Sequence, residues 1–589
     1  MASKCQSAIF ATLLLFFSLN VFSQTASDFY RQGNEAFDRK DYYTAIEQFK
    51  KVINLSPSFK EAHWNLALSY FETKQFSNAV ASYGTAISYY TDYKKLAELY
   101  YWRGRSKKEL SEIEGAITDF NSSISYDATY GDAYWSRGGI YMFQKIDYPR
   151  AIEDFKKAIT YLTDRYDQSV LYGNICQCNY KLKKNDEALT NCNKSLELNA
   201  ENKTTYWDRA LVYAAQNKNA EAIKDYTKAL QYYTDASDKS ILYSNVGLCQ
   251  MDLLQNKEAV QSFTKSLEYN PNYGNAHWNL GAAYKNLAQY QESVASYTKA
   301  TEFYKNDFES LSKIHYWRGF SNGKLTNYTA AIADFNKAIE YRPSYGAAYW
   351  ERGLVYEKMM NYSRSIEDYR IAIPYYQDDK KSLSTLNSNI AAMEKGLGKY
   401  DNAIASYKKA FEYNPERTGL QSEIGDMYLH KKDYNNAITY YTKWIDTDTS
   451  KNPGALAKSL RGYCYIKTNN RDRGVADLIT SLDWDIKIDT CYTASFCQFA
   501  KGDKQMAYDN LNRRLRIASS ITMPGRYADM AKLYAVDNND AEAIRQLDLA
   551  LKSGYKDYFS MFTAWELDAL RSKQAFKTLM TTYKITIPY

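Results

Sequence analysis

The sequence predicts an all-α protein made by stacking pairs of helices, on three observations. Only 9 prolines and 25 glycines occur in 589 residues, too few for the turns of an all-β chain. Apolar residues fall at three- and four-residue steps, the period of a helix with one buried face. A set of small and aromatic markers also returns at a near-fixed interval along most of the chain, so the length reports repetition rather than several unrelated domains.

Residues 1–23 read as a secretory signal and are set aside from the fold. Lys4 is positive, Ala8 to Val21 is apolar except for Thr12, Ser18 and Asn20, and small Ser23 precedes Gln24. The apolar stretch is shorter than the roughly 20 residues of a spanning helix, so cleavage is expected, with an N-terminal membrane anchor as the alternative. The expected location is therefore periplasmic, outer-surface or secreted.

From residue 24 to 552 the markers repeat. A glycine is followed about twelve residues later by alanine and four further on by an aromatic ring, as in Gly33, Ala45 and Phe49, or Gly247, Ala259 and Phe263. Prolines such as Pro57, Pro271, Pro343 and Pro415 close several units. Small residues let two helices approach, the ring fills the space beside them and proline ends the second helix. Short links such as Lys40-Asp41-Tyr42 make each pair antiparallel.

Starting points near residues 26, 60, 97, 131, 169, 203, 240, 274, 312, 346, 384, 418, 455, 488 and 524 give fifteen units. Their spacing alternates between about 34 and about 37, a double unit of 71 or 72 residues. The longer gaps contain Tyr89-Tyr90-Thr91-Asp92, Tyr161-Leu162-Thr163-Asp164, Tyr232-Tyr233-Thr234-Asp235 and Tyr375-Tyr376-Gln377-Asp378. These are read as a second helix lengthened by nearly a turn and followed by a polar link, or as a loop that tolerates extra residues. Residues 553–589 break the pattern and are expected to form a helical cap over the last unit.

These markers resemble the tetratricopeptide repeat family, whose unit has 34 residues. The resemblance implies a right-handed superhelical solenoid of about fifteen helix-turn-helix units, and binding of protein partners. The cap resembles the helical segment that closes exported bacterial arrays of this family. Departures occur where Cys176, Ala210 or Ala391 replaces the glycine and Gly474 the alanine.

One constellation suggests a binding face. Trp64, Trp135, Trp207, Trp278 and Trp350 recur at intervals of 71, 72, 71 and 72, three residues before the small marker, with Tyr101 and Tyr316 at the same place in alternate units. In related repeats this position lies on the first helix and faces the concave groove. The rings are candidates to stack on peptide side chains or sugars, or to pack on the neighbouring helix. Arg137, Arg209, Arg318 and Arg352 follow two residues after these rings; they are candidate forked donors to a carboxylate, or arginines whose stems lie between helices.

No Walker loop, dinucleotide fingerprint, nucleophile elbow or zinc-protease helix occurs in the sequence. No catalytic residue, cofactor or metal is assigned: His63, His277 and His315 sit in separate units, and only His430 remains. The 75 basic and 68 acidic residues interleave, which describes a mixed solvated surface rather than a nucleic-acid or membrane face. Seven cysteines follow the signal, an odd number; they read as small buried residues, with one disulfide somewhere within the Cys176 to Cys192 repeat as an alternative. The expected function is a noncatalytic scaffold that holds a peptide or protein segment in its groove, in the cell envelope or secreted. Glycan or cell-wall carbohydrate binding through the aromatic ladder is the alternative.

Overall fold

A computed structural model describes residues 25–447, 455–488, 491–516, 518–519 and 522–585; the expected signal over 1–23 lies outside them. The chain divides into two compact units, Met1–Ala276 and His277–Tyr589. Among the described residues there is no strand, and helices follow one another in fifteen antiparallel pairs. The pairs begin at Ala26, Lys60, Tyr93, Gly131, Arg165, Lys203, Ala236, Gly274, Phe308, Gly346, Lys380, Gly419, Ala455, Cys491 and Met523. The fold is a TPR solenoid.

Within a pair, the small marker and the ring touch. A Cβ added to Gly33 would lie 2.5 Å from the Phe49 ring, and one on Gly247 would lie 2.7 Å from Phe263. The two helices can approach at that height only because the first contributes no side chain there. Each link then reverses the chain through one residue in the left-handed region, commonly not glycine: Lys40 (φ 63°), Ile146 (54°) and Leu254 (60°) are examples. The reversal satisfies carbonyls at the end of the first helix, as where Lys40 N donates to Phe37 O at 2.8 Å and Asp41 N to Ala36 O at 2.8 Å.

The longer gaps are built differently from the sequence expectation. The second helices before them are not lengthened: Phe76–Tyr89 has 14 residues, as has Tyr42–Leu55. The extra turn belongs to the next first helix, since Tyr93–Glu109, Arg165–Lys181, Ala236–Asp252, Phe308–Lys324 and Lys380–Gly396 each have 17 residues against 13 in Lys60–Glu72. The cause is an aspartate cap. Asp92 accepts from Lys95 N at 2.8 Å, Asp164 from Tyr166 N at 2.8 Å, and Asp235, Asp307 and Asp379 do the same for their helices. A carboxylate on the first-turn N–H groups starts a helix where it stands.

First helices of successive pairs touch one another, as Arg165–Lys181 does Lys203–Ala215 and Phe308–Lys324 does Gly346–Lys358. Second helices make no comparable contacts with one another among the described residues, so the first helices form the tighter, inner layer within each unit. At the C-terminus, Tyr558–Thr563, a 3-10 turn Trp565–Leu567, Asp568–Arg571 and Gln574–Thr582 follow the last pair. Phe562, Leu570, Phe576 and Met580 bury Leu547 and Leu551 of that pair in one apolar cluster.

Candidate interaction surface

The aromatic ladder sits on the inner layer, and its rings are half-buried against their own chain. Trp207 packs edge-on to Tyr233 with centroids 5.3 Å apart, Trp278 to Tyr304 at 5.6 Å and Trp350 to Tyr376 at 5.2 Å. Trp64 shares a cluster with Tyr90 and meets Tyr83 at 6.1 Å; Trp135 shares one with Leu162. In each case the partners include the second residue of the Tyr-Tyr-Thr-Asp type segment. The residue before the tryptophan stacks on the first: His63 on Tyr89 at 5.3 Å, Tyr206 on Tyr232 at 6.3 Å and His277 on Phe303 at 5.6 Å. Two neighbouring rings on a first helix thus clasp two on the following link. Tyr101 and Tyr316 are buried, each 8% exposed, against Tyr130 at 5.2 Å and Tyr345 at 4.9 Å.

The arginine forks are filled by carboxylates of the same chain. Arg137 Nε and Nη2 donate to Asp154 at 2.9 and 2.7 Å, Arg209 to Asp225 at 2.6 and 2.8 Å, and Arg352 to Asp368 at 2.8 and 2.6 Å. The third nitrogen reaches back to the second helix of the preceding pair, Arg137 to Asn121 at 2.5 Å and Arg209 to Asn193 at 2.8 Å. Arg318 is bound to Asp334 and Thr298 in the same way, and Arg103–Asp119 and Arg461–Asp477 are further pairs that the sequence reading did not single out. One guanidinium therefore ties three helices. Burial pushes the Asp154 and Asp368 carboxyls up despite the guanidinium beside them. At Asp334 burial acts the same way, but hydrogen bonds from His315 and Arg318 outweigh it and the carboxyl lies below its ordinary range.

The pair at Arg165 replaces the glycine–ring contact with a covalent one: Cys176 and Cys192 form a disulfide. They stand at the two marker positions. Cys178, Cys249 and Cys464 are free and buried. Between the first helices Arg165–Lys181 and Lys203–Ala215 lies an open cavity of about 390 Å³, lined by Tyr166, Val170, Asn174, Asn202 and Thr204 among others. Tyr166 is 64% exposed, and Tyr93 and Phe308 stand exposed on the same extra turn of other long helices. On the helix Lys203–Ala215 Asp208 is buried, and its carboxyl is pushed up to about 7 by desolvation, partly offset by Lys181. Among the described residues no group of three His, Cys, Asp or Glu side chains is placed to hold a metal ion, and no helix is long and apolar enough to cross a membrane.

Family models described as TPR repeat match residues 33–74 and 324–359, and models described as tetratricopeptide repeat match 60–93, 204–235, 274–307 and 394–465. Stress-induced-phosphoprotein 1 of Caenorhabditis elegans is 26% identical over 34% of this chain and 70% of its own length. The Hsp70-Hsp90 organizing protein of Triticum aestivum is 24% identical over 36% of this chain, which spans only 41% of that relative. A solved structure titled as YrrB, a TPR protein with an unusual peptide-binding site, is 23% identical over 33% of this chain and 96% of its own, with a TM-score of 0.30, too low to bear on function. The matched segments and the fifteen helix pairs together support the tetratricopeptide repeat family for this chain.

Proposed function

We propose that the chain is a noncatalytic scaffold that holds a peptide or protein segment along the inner layer of first helices, in the cell envelope or after secretion. Tetratricopeptide proteins are generally protein-interaction scaffolds, and the fold is generally noncatalytic. The observation that carries the reading is the open cavity between Arg165–Lys181 and Lys203–Ala215, where exposed Tyr166 stands beside Asn174. A carboxamide both donates and accepts, as a peptide backbone requires, and an exposed ring adds apolar area at small entropic cost.

In this reading Trp64, Trp135, Trp207, Trp278 and Trp350 shape the wall and offer the edges their partners leave open, and the arginine pairs keep the wall rigid. The expected signal over 1–23 and the Cys176–Cys192 disulfide both suit an oxidising compartment outside the cytosol. The test is affinity capture from cell-envelope extracts with the full chain and with Tyr166→Ser/Asn174→Ala, after matching their helicity. Loss of a specific protein from the folded variant supports the reading. Retention of every captured protein, or capture of glycan alone, counts against it.

A further inference from the structure

The C-terminal segment does more than cover the last pair. Tyr558–Thr563 lies against the first helix Lys380–Gly396, and the turn Trp565–Leu567 lies against the first helices Gly419–His430 and Met523–Val536. Met360, in the turn between the two helices of the pair that begins at Gly346, packs on the same apolar cluster as Phe562 and Leu570. The segment therefore runs along the inner layer of the second unit, where the scaffold reading places a bound partner.

Its hold is apolar through buried Met561, Phe562, Leu567 and Leu570, and acidic through Asp568. Asp568 accepts from Tyr400 Oη at 3.0 Å and lies 2.6 Å from Nδ1 of His430, whose side chain is 1% exposed. Arg571 is turned inward, onto Asp568 and the carbonyls of Met561 and Ala564, so it neutralises its own segment rather than the receiving face. On that face Lys395 is 3.6 Å from Glu423 and partly offsets the upward shift that burial imposes on the Asp426 carboxyl.

The fit is incomplete. Cavities of about 500 and 470 Å³ flank the segment, one bordered by Met360, Tyr362, Asn389 and Tyr558, the other by Gly398, Tyr400, Phe562 and Arg571. A permanent core element would close such gaps. A ligand that must leave tolerates them.

We propose that the first-helix layer from Gly346 to Val536 is a seat for an acidic, aromatic-bearing protein segment, and that residues 556–571 occupy it as a resident self-ligand until an external segment of that chemistry displaces them. The proposal rests on the scaffold reading but concerns the second unit, whereas the capture test above probes the first, so the two fail separately.

The experiment uses the full chain, wild type and Leu567→Ser/Asp568→Ala, and a labelled peptide spanning residues 556–573. Hydrogen exchange is expected to show residues 558–571 released in the variant while helices from Lys380 to Val536 keep their protection. The peptide should bind the variant at least tenfold more tightly than wild type, and a peptide carrying Asp568→Asn should bind it more weakly. Equal binding to both chains, no binding to the released variant, undiminished binding of the Asp568→Asn peptide, or collapse of the helices when the segment is loosened would each overturn the proposal.

Discussion

Replacing Arg209 by leucine should cost far more when Asp225 is left in place than when it is changed as well. In the native chain Arg209 gives Asp225 two donors at 2.6 and 2.8 Å and Asn193 a third at 2.8 Å, and the Asp225 carboxylate is buried. Arg209→Leu strands that carboxylate, a loss of about 3 kcal/mol for a pair whose guanidinium keeps some access to water. Asp225→Ser strands only the guanidinium, which still reaches Asn193, so about 1–2 kcal/mol is expected. The double variant recreates the Leu66/Ser82 and Leu280/Ser296 combinations that this chain already uses sixteen residues apart. It should lie within about 1 kcal/mol of wild type, leaving a coupling of about 3 kcal/mol between the two sites. A long repeat array need not unfold in one step, so the measurement is native-state hydrogen exchange over Lys203–Ala215 and Asn219–Leu230, not a single melting curve. Additive costs in the double variant would refute the view that each fork acts with its carboxylate as a unit.

Asp208 carries a pH dependence whose sign follows from its carboxyl being raised to about 7 by burial. Its contribution is complete below the unfolded value and lost as pH rises through about 7, so Lys203–Leu230 should open more readily at pH 8 than at pH 5; Asp208→Asn should flatten that profile, and parallel profiles would count against it. Reducing the Cys176–Cys192 disulfide, which closes a loop of separation 16, should lower the opening free energy of its pair by about 3 kcal/mol, read by exchange with and without reductant. Ile146, β-branched, 66% exposed and at φ 54°, should accept glycine with a gain of about 0.5–1 kcal/mol, since relief of left-handed strain exceeds the added chain entropy. A thermal shift downward for Ile146→Gly would contradict that balance.

The markers carried the fold because they report contacts that every unit must make. Gly33 with Phe49, repeated through Gly425 with Tyr441, is one contact written many times, and its period locates fifteen pairs. What the period did not show was which helix owns the extra turn. Asp92 and its counterparts were read as part of a polar link, although an aspartate just before a helical run is also a helix start. The arginine partners were equally available: an aspartate follows sixteen residues after Arg103, Arg209, Arg318, Arg352 and Arg461 and seventeen after Arg137, while Leu66 and Leu280 are followed at sixteen by serine. The same count links Cys176 to Cys192. The docking of Asp568 on Tyr400 and His430 had no such signal, because the partners lie 168 and 138 residues away and occur once. Periodicity reveals what is copied and is silent about what is unique.

The clasp between a first helix and the link that follows it sets the grain at which this protein can change length. Trp207 needs Tyr233, and Asp235 two residues later begins the next, longer helix, so one segment serves the pair behind it and the pair ahead. Removing a single pair would bring a tryptophan up to a link whose ring stands at another place, as Tyr130 and Tyr345 do, or a ring-bearing link up to a helix that lacks its opening aspartate. Removing or inserting 71 or 72 residues at Thr234–Asp235 and the matching positions preserves both relations. Shorter and longer versions of the chain are therefore expected in whole doublets, with reach along a partner growing in steps of two pairs.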